Sequence, residues 1–327
     1  MTEDDLIAML FAPIAGEGSL ALRDDAALIA PSPGHEIVVT LDTIVAGVHF
    51  FADDPPDAIA RKALRVNLSD LAAKGARSRG FLLGLSLPKD FWAGVGARDW
   101  LEAFARALGE DARLYACPLL GGDTVATPGP LTLSITALGE VASGRMVKRT
   151  GVKAGDALYI TGTIGDGALG LRARMGETPG LSADARDFLV ARYLTPQPRN
   201  ALAPAMAEFA SGGMDVSDGL IGDLTKMLRV SGVGARIDLR AVPLSPAARA
   251  LVAQGAEWFE RALTGGDDYE VLAAVPLERA AAFERAAAAV DVPVTRVGEA
   301  VAGAGPPVFV GLDGTPRSFA KGSYGHF

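Results

Sequence analysis

"MDVSDGLIGDL", residues 214–224, passes from extended, apolar residues through Ser-Asp-Gly into a helical pattern, and it carries three carboxylates. Met214 to Val216 read as the end of a strand, and Leu220, Ile221, Leu224, Met227 and Leu228 then recur at helical spacing. A strand that turns directly into a helix is the building unit of an α/β layer. Ser217 or Asp218 is the natural N-cap, because a short polar side chain there accepts from unpaired backbone N–H groups. Asp215 has no such structural duty, and Asp223, one helical turn further on, is expected to face solvent.

The same alternation extends in both directions. "EIVVTLD" (36–42), "FLLGLSL" (81–87), "LTLSITALGE" (131–140), "ALYITG" (157–162), "ARIDL" (235–239) and "EVLAAV" (270–275) read as strands. "DAIARKALRVNLSDLAAKGA", "ARDWLEAFARALG" and "RDFLVARYL" read as helices between them. The fold class is therefore α/β, and 327 residues favour two domains over one. The seam is placed in "GEVASGRMVKRTGVKAGD", giving domains 1–143 and 144–327. An internal echo crosses it: "LSDLAA" then "GGDT" in the first half, "VSDGLI" then "GGDD" in the second.

Composition narrows the chemistry. The formal charge of -8 disfavours nucleic acid, whose phosphates need clustered Lys and Arg, and no basic cluster exceeds "MVKRTGVK". No apolar run has the length of a bilayer crossing, and Glu3, Asp4 and Asp5 stand where a signal peptide needs positive charge, so cytoplasm is the expected compartment. Cys117, the single cysteine, excludes an intrachain disulfide and a cysteine-built metal site; it reads as a small packed apolar residue. His35 reads as ordinary surface.

Carboxylates recur where strands end or helices start. Asp24 and Asp25 lie in "RDDAALIA", Asp42 follows a strand in "VVTLDT", Asp70 lies in "NLSDLAAKGA", and Asp123 follows two glycines in "LLGGDT". Two like charges about 5 Å apart at an effective dielectric near 20 repel by roughly 3 kcal/mol, so such groups converge only with cations. Oxygen donors without cysteine, and with only His35, His49 and His326 available, favour magnesium or calcium over zinc. Magnesium in turn usually arrives with phosphates. "ITGTIGDGALGL" (160–171) is a glycine-rich turn of the kind that receives an anion at a helix N-terminus. Gly165, Gly167 and Gly170 formally match a dinucleotide fingerprint, with Asp187 beyond, but "ADARDFLVARYL" reads as helix where that motif needs its second strand. There is no P-loop motif and no protein-kinase signature set. Arg149, before a Thr-Gly turn, offers a planar charged fork for a polyphosphate.

"DDAALI", "TLDTIVAGVHF", "NLSDLAAKGA", "GGDT", "VKRTGVKAGDALYITGTIGDGALGL", "DVSDGLIGDL", "TGGDDYEVL" and "GSYGHF", in this order, resemble the motif series of the thiamine-monophosphate kinase family, from about residue 20 to the C-terminus. The resemblance implies the two-domain fold of the aminoimidazole-ribonucleotide-synthetase superfamily, with an N-terminal sheet that pairs across a homodimer and a C-terminal α/β domain. It implies ATP-dependent phosphorylation of thiamine monophosphate to thiamine diphosphate, with several Mg2+ ions. The family's metal ligands fall on Asp25, Thr40, Asp42, Asp70, Asp123, Asp215 and Asp218, with Leu41, where relatives often carry a hydroxyl, offering only its backbone carbonyl. Nucleotide contacts fall on Gly122, Asp123, Arg149 and Ser217, and substrate contacts on His49, Asp267 and Tyr324, the last by ring stacking. Two departures stand out: Asp267-Asp268 where Glu-Asp is common, and Gly325 where Asp is usual.

The acceptor is itself a phosphate, so no residue is assigned as acid or base. A selenophosphate-synthetase-like enzyme would need a reactive N-terminal cysteine and a hydrogenase-maturation protein a C-terminal one; neither is present. An aminoimidazole ribonucleotide synthetase and a non-catalytic nucleotide-binding protein of the same fold remain as alternatives.

Overall fold

The computed structural model describes the chain except residues 1, 2, 95, 321, 324, 326 and 327. The chain divides into two compact units, Met1–Leu71 with Arg77–Gly144, and Ala72–Ala76 with Arg145–Phe327.

In the first unit a short helix α1 (Glu3–Leu6) precedes β1 (His35–Val45), α2 (Pro56–Ala73), β2 (Arg77–Pro88), α3 (Ala97–Leu114), β3 (Leu119–Thr127) and β4 (Thr132–Ala142). The sheet order is β1-β4-β2-β3, with β2 and β3 parallel and the other pairs antiparallel. Strand alternation sets its two faces. Val38 and Ile44 of β1, Phe81, Leu83, Leu85 and Leu87 of β2, and Leu133, Ile135 and Ala137 of β4 are buried on one face. Each such Val, Leu, Ile or Phe contributes about 1.5–3 kcal/mol. The residues between them, Val39, Leu41, Leu82 and Thr136 among them, form a second face that this unit leaves open. On α3, Leu101, Phe104, Ala105, Leu108 and Ala112 make the buried stripe. Asp111 is buried with them because Arg61 (2.5 Å) and Arg65 (2.6 and 2.9 Å) of α2 hold its carboxylate.

"LLGGDT", expected from sequence at a strand end or helix start, lies within strand β3. Parallel pairing to β2 overrides the low strand propensity of Gly121, Gly122 and Asp123. Gly122 is required by close approach, since a Cβ there would stand 2.1 Å from the Leu83 carbonyl oxygen.

The second unit holds β5 (Ala157–Thr161), α4 (Asp166–Arg174), α5 (Ala183–Leu194), α6 (Ala203–Phe209), β6 (Gly212–Val216), α7 (Leu220–Ser231), β7 (Gly234–Asp238), α8 (Pro246–Val252), α9 (Ala256–Thr264), β8 (Glu270–Val275), α10 (Ala280–Ala289), β9 (Val294–Val301), β10 (Val308–Val310) and β11 (Pro316–Arg317). Its mixed sheet runs β11-β10-β7-β9-β5-β8-β6. Leu158, Ile160, Met214, Val216 and Leu272 belong to one core, and Tyr159, Val271, Ala273, Met206 and Phe283 to another. Burial on both faces is why β5 and β8 read as continuous apolar runs. Cys117, in the first unit, is buried, and that burial pushes its thiol up to about 12. His35 is exposed, as expected.

The internal echo is not a structural repeat. Ser69 and Asp70 lie within a helix whereas Ser217 and Asp218 lie in a strand-to-helix turn; Gly122 and Asp123 lie in a strand whereas Asp267 occupies a loop at φ 72°. Among the described residues no helix is long and apolar enough to cross a membrane.

Candidate active site

The candidate residues of the first unit fall into two groups. On the covered side of the sheet, the Thr40 hydroxyl donates to Asp70 Oδ2 (2.5 Å), and the Asp42 N–H donates to Asn67 Oδ1 (3.0 Å). Asn67 is buried and one helical turn before Asp70, so α2 presents both to the outer edge of β1. His49 follows in the turn after β1. Its Nδ1 accepts from the Val45 N–H (3.1 Å), which fixes the neutral ring with Nε2 as donor, and the buried Lys62 ammonium donates to its carbonyl (3.0 Å).

The second group lies on the open face. Asp24, Asp25, Gly122 and Asp123 line a cavity of about 830 Å3 together with Leu82, Gly84, Ser134 and Thr136. The register separates the two groups. Thr43, Ser134, Gly84 and Asp123 form one cross-strand row, while Asp42, Ile135, Leu83 and Gly122 form the next, on the opposite face. Asp42 and Asp123 are therefore on opposite faces and opposite edges, three strand spacings or about 14 Å apart. Leu41 directs its side chain to the open face, where it is 58% exposed, away from Thr40, Asp42 and Asp70.

In the second unit the structure gathers Asp215, Ser217, Asp218 and Asp267. Asp215 is buried at the end of β6. The loop before β8 is hydrogen-bonded to this strand end: the Asp267 N–H donates to the Ser217 carbonyl (2.9 Å) and the Tyr269 N–H to that of Val216 (2.8 Å). Asp267 and Tyr269 both take positive φ, 72° and 52°, in this loop.

Two sequence expectations are overturned here. Neither Ser217 nor Asp218 caps α7; the N-cap is Gly219, at φ 117°, which has no side chain to accept with. Asp223 is fully buried rather than solvent-facing. Its Oδ2 accepts from the N–H groups of Ser217 (3.1 Å) and Asp218 (2.9 Å), so a carboxylate from inside the helix folds back over the turn. The Lys226 ammonium then bridges Asp218 Oδ2 (2.6 Å) and Asp223 Oδ1 (3.1 Å). Burial pushes the Asp223 carboxyl up, against the Asp218 N–H and Lys226. For Lys226 burial acts downward, but Asp218 and Asp223 outweigh it and hold the ammonium above its ordinary range. Asn67, Asp223 and Lys226 were not singled out as site residues; helical spacing (67 to 70, 223 to 226) was the available signal.

The glycine-rich turn is also resolved. Asp268, buried, accepts from the N–H groups of Gly165 (2.7 Å) and Gly167 (2.9 Å) at the start of α4. The anion at this helix N-terminus is the chain's own carboxylate, and residues 183–194 that follow are helix α5, so the dinucleotide fingerprint is formal only. Arg149 lies in a short 3-10 turn whose carbonyl accepts from Ser231 Oγ (2.7 Å), at the end of α7 opposite Ser217, about 18 Å along that helix. Tyr324 lies outside the described residues.

The two mixed sheets are those of an AIR synthase related protein: models of that family's N-terminal and C-terminal domains match residues 23–141 and 153–311. A thiamine-monophosphate kinase of Caulobacter vibrioides is 45% identical over 321 residues, covering 96% of this chain and 89% of the relative. A crystal structure of a thiamine-monophosphate kinase from Stenotrophomonas maltophilia superposes with a TM-score of 0.79 at 37% identity, over 90% of this chain and 91% of that one. A structure of AaThiL complexed with AMPPCP and TMP superposes with a TM-score of 0.77 at 27% identity, over 99% of this chain and 94% of that one. The chain belongs to the thiamine-monophosphate kinase family, as the ordered motif series implied.

Proposed function

We infer that this chain transfers the γ-phosphoryl group of ATP to the phosphate of thiamine monophosphate, giving ADP and thiamine diphosphate. The observation that carries the reading is the donor set: Thr40, Asp42 and Asp70, Asp25 and Asp123, and Asp215 and Asp218 are all hard oxygen donors. The complex of AaThiL with AMPPCP, an ATP analogue, and TMP supports the same pair of ligands.

The residues fit magnesium. Their donors are oxygen only, and Asp218 already attracts the Lys226 ammonium. Carboxylate oxygens suit an ion that keeps waters and takes phosphate oxygens. Bound by these carboxylates, Mg2+ would neutralise phosphate charge and align the two phosphates. A phosphate monoester is already anionic near neutral pH, so no general base is required. The protein's own part is positioning: Thr40 fixes the Asp70 carboxylate, Asn67 fixes the backbone at Asp42, and Asp223 fixes the N–H groups of Ser217 and Asp218. Gly122 and Ser217 serve the nucleotide and Arg149 its phosphates. His49 offers an Nε2 donor to the substrate, Asp267 a carboxylate for its cationic ring, and Tyr324 its ring.

The active form is a homodimer in which the open sheet face is covered by a second copy. Val39 and Leu41 are each 58% exposed there, and the separation of Asp42 from Asp123 leaves one copy of the unit with two half-sets of carboxylates.

The test is formation of ADP and thiamine diphosphate from ATP and thiamine monophosphate, with Mg2+ and with excess chelator. Stoichiometric, Mg2+-dependent production of both is expected. Turnover of formylglycinamidine ribonucleotide instead would favour the synthetase, and ATP binding without turnover of either acceptor would favour a non-catalytic protein. Asp42→Asn and Asp215→Asn are expected to fold and to lose turnover; wild-type rates in either would remove that residue from the metal set.

A further inference from the structure

Lys226 has a place in this site that the reaction itself does not demand. Its ammonium is shared between two carboxylates of unequal character: Asp218, whose side chain is 37% exposed, and Asp223, which is buried. Asp223 is committed, since its other oxygen holds the N–H groups of Ser217 and Asp218. Asp218 is the one carboxylate of the three groups that can leave. A cation reaching Asp218 therefore meets one already in position, at 2.6 Å.

We propose that Lys226 is a positioning residue that acts as a resident counter-cation: it holds Asp218 in the ion-free protein and exchanges with the divalent ion that Asp218 takes up. This rests on Asp218 being a metal ligand. The exchange has two consequences. The carboxylate turn is partly neutralised and ordered before ligand arrives, so the repulsion between Asp218 and Asp223 is offset. Divalent-ion binding is also weakened, because the ion must displace an ammonium that Asp223 keeps tethered beside the site. Lys226 is i+3 from Asp223 on α7, so the tether is short and the ammonium returns when the ion leaves.

The experiment is direct Mn2+ binding to the nucleotide-free protein, by electron paramagnetic resonance of free Mn2+ and by titration calorimetry, for wild type, Lys226→Met, Lys226→Arg and Asp218→Asn. Removing a partly exposed ammonium 2.6 Å from a ligand oxygen is expected to tighten Mn2+ binding about five- to tenfold. Lys226→Arg keeps the pair and should stay near wild type. In an Asp218→Asn background, Lys226→Met should change nothing further. Equal or weaker Mn2+ binding by folded Lys226→Met, with Asp218→Asn lowering binding, overturns the exchange while leaving Asp218 as a ligand. If Asp218→Asn binds Mn2+ as wild type does, both the ligand assignment and the exchange fall.

Discussion

Replacing Asp268 by Asn tests how the second unit holds its ligand-facing loop. The substitution keeps size and one acceptor but puts an NH2 group where one carboxylate oxygen now accepts from Gly165 or Gly167. A hydrogen bond to a charged group is worth about 1.5–3 kcal/mol, and a buried N–H left facing a donor costs about 1–3 kcal/mol more. Loss of the anion from the N-terminus of α4 adds to this. The opposing term is relief of burial and of the neighbouring Asp166 charge, the influences that push the Asp268 carboxyl well above its ordinary range. The net expectation is a loss of about 2–4 kcal/mol. Urea denaturation would report it as a lower midpoint at unchanged slope, and hydrogen exchange should speed up at the Gly165 and Gly167 amides. Since Asp267 shares the loop, KM for thiamine monophosphate should rise more than kcat falls. A stability change under about 0.5 kcal/mol, with both amides still protected, would show that the carboxylate is not what holds this turn.

Glu140→Gln should lower stability at neutral pH and leave the two proteins converging in acid. Burial acts upward on this carboxyl, but Arg77, Ser32 and Arg79 outweigh it and bring it down to about 2 from an ordinary 4.5. A folded value below the unfolded one stabilises above the unfolded value, so the advantage over the variant is complete above about pH 4.5 and is lost as pH falls toward about 2. Because the Arg77 side chain is largely in water, the advantage is about 1–2 kcal/mol, and a pH-independent difference between the proteins would contradict the assignment. Gly222→Ala should dislodge the C-terminal segment, since its Cβ would stand 2.3 Å from Ser323 Cβ; faster proteolytic removal of that segment is expected at nearly unchanged stability, and equal cleavage rates would refute the contact. Leu41→Asp should give a folded monomer with little turnover by sedimentation and assay, and a persistent active dimer would exclude the open sheet face as the interface.

Much of this architecture could be read directly. β1, β2, β4, β5 and β8 announce themselves by β-branched and apolar runs, and α2, α3 and α7 by their periodicity. β3 could not be read so, because Gly121, Gly122 and Asp123 are poor strand formers and only the pairing with β2, 39 residues earlier, makes them one. The carboxylates were legible as a set, but their partition was not: a period of two puts Asp42 and Asp123 on opposite faces only once the register is known. Asp223 was misread because a charge on a helix is usually solvated. Gly219 leaves the turn without its own acceptor, and a neighbour had to turn inward. The Asp268 cap joins residues more than a hundred positions apart, a distance at which local pattern carries no information.

Strand β1 assigns its successive residues to different masters. Thr40 and Asp42 look toward α2, while Val39, Leu41 and Thr43 look out over the open face. A saturation scan from residue 38 to 44 would accordingly not give a smooth profile of tolerance. It would resolve into two interleaved series, one scored by catalytic output and the other by self-association, with neighbours along the chain genetically independent and next-nearest neighbours grouped. A single insertion in this strand would swap the two series and abolish both traits at once.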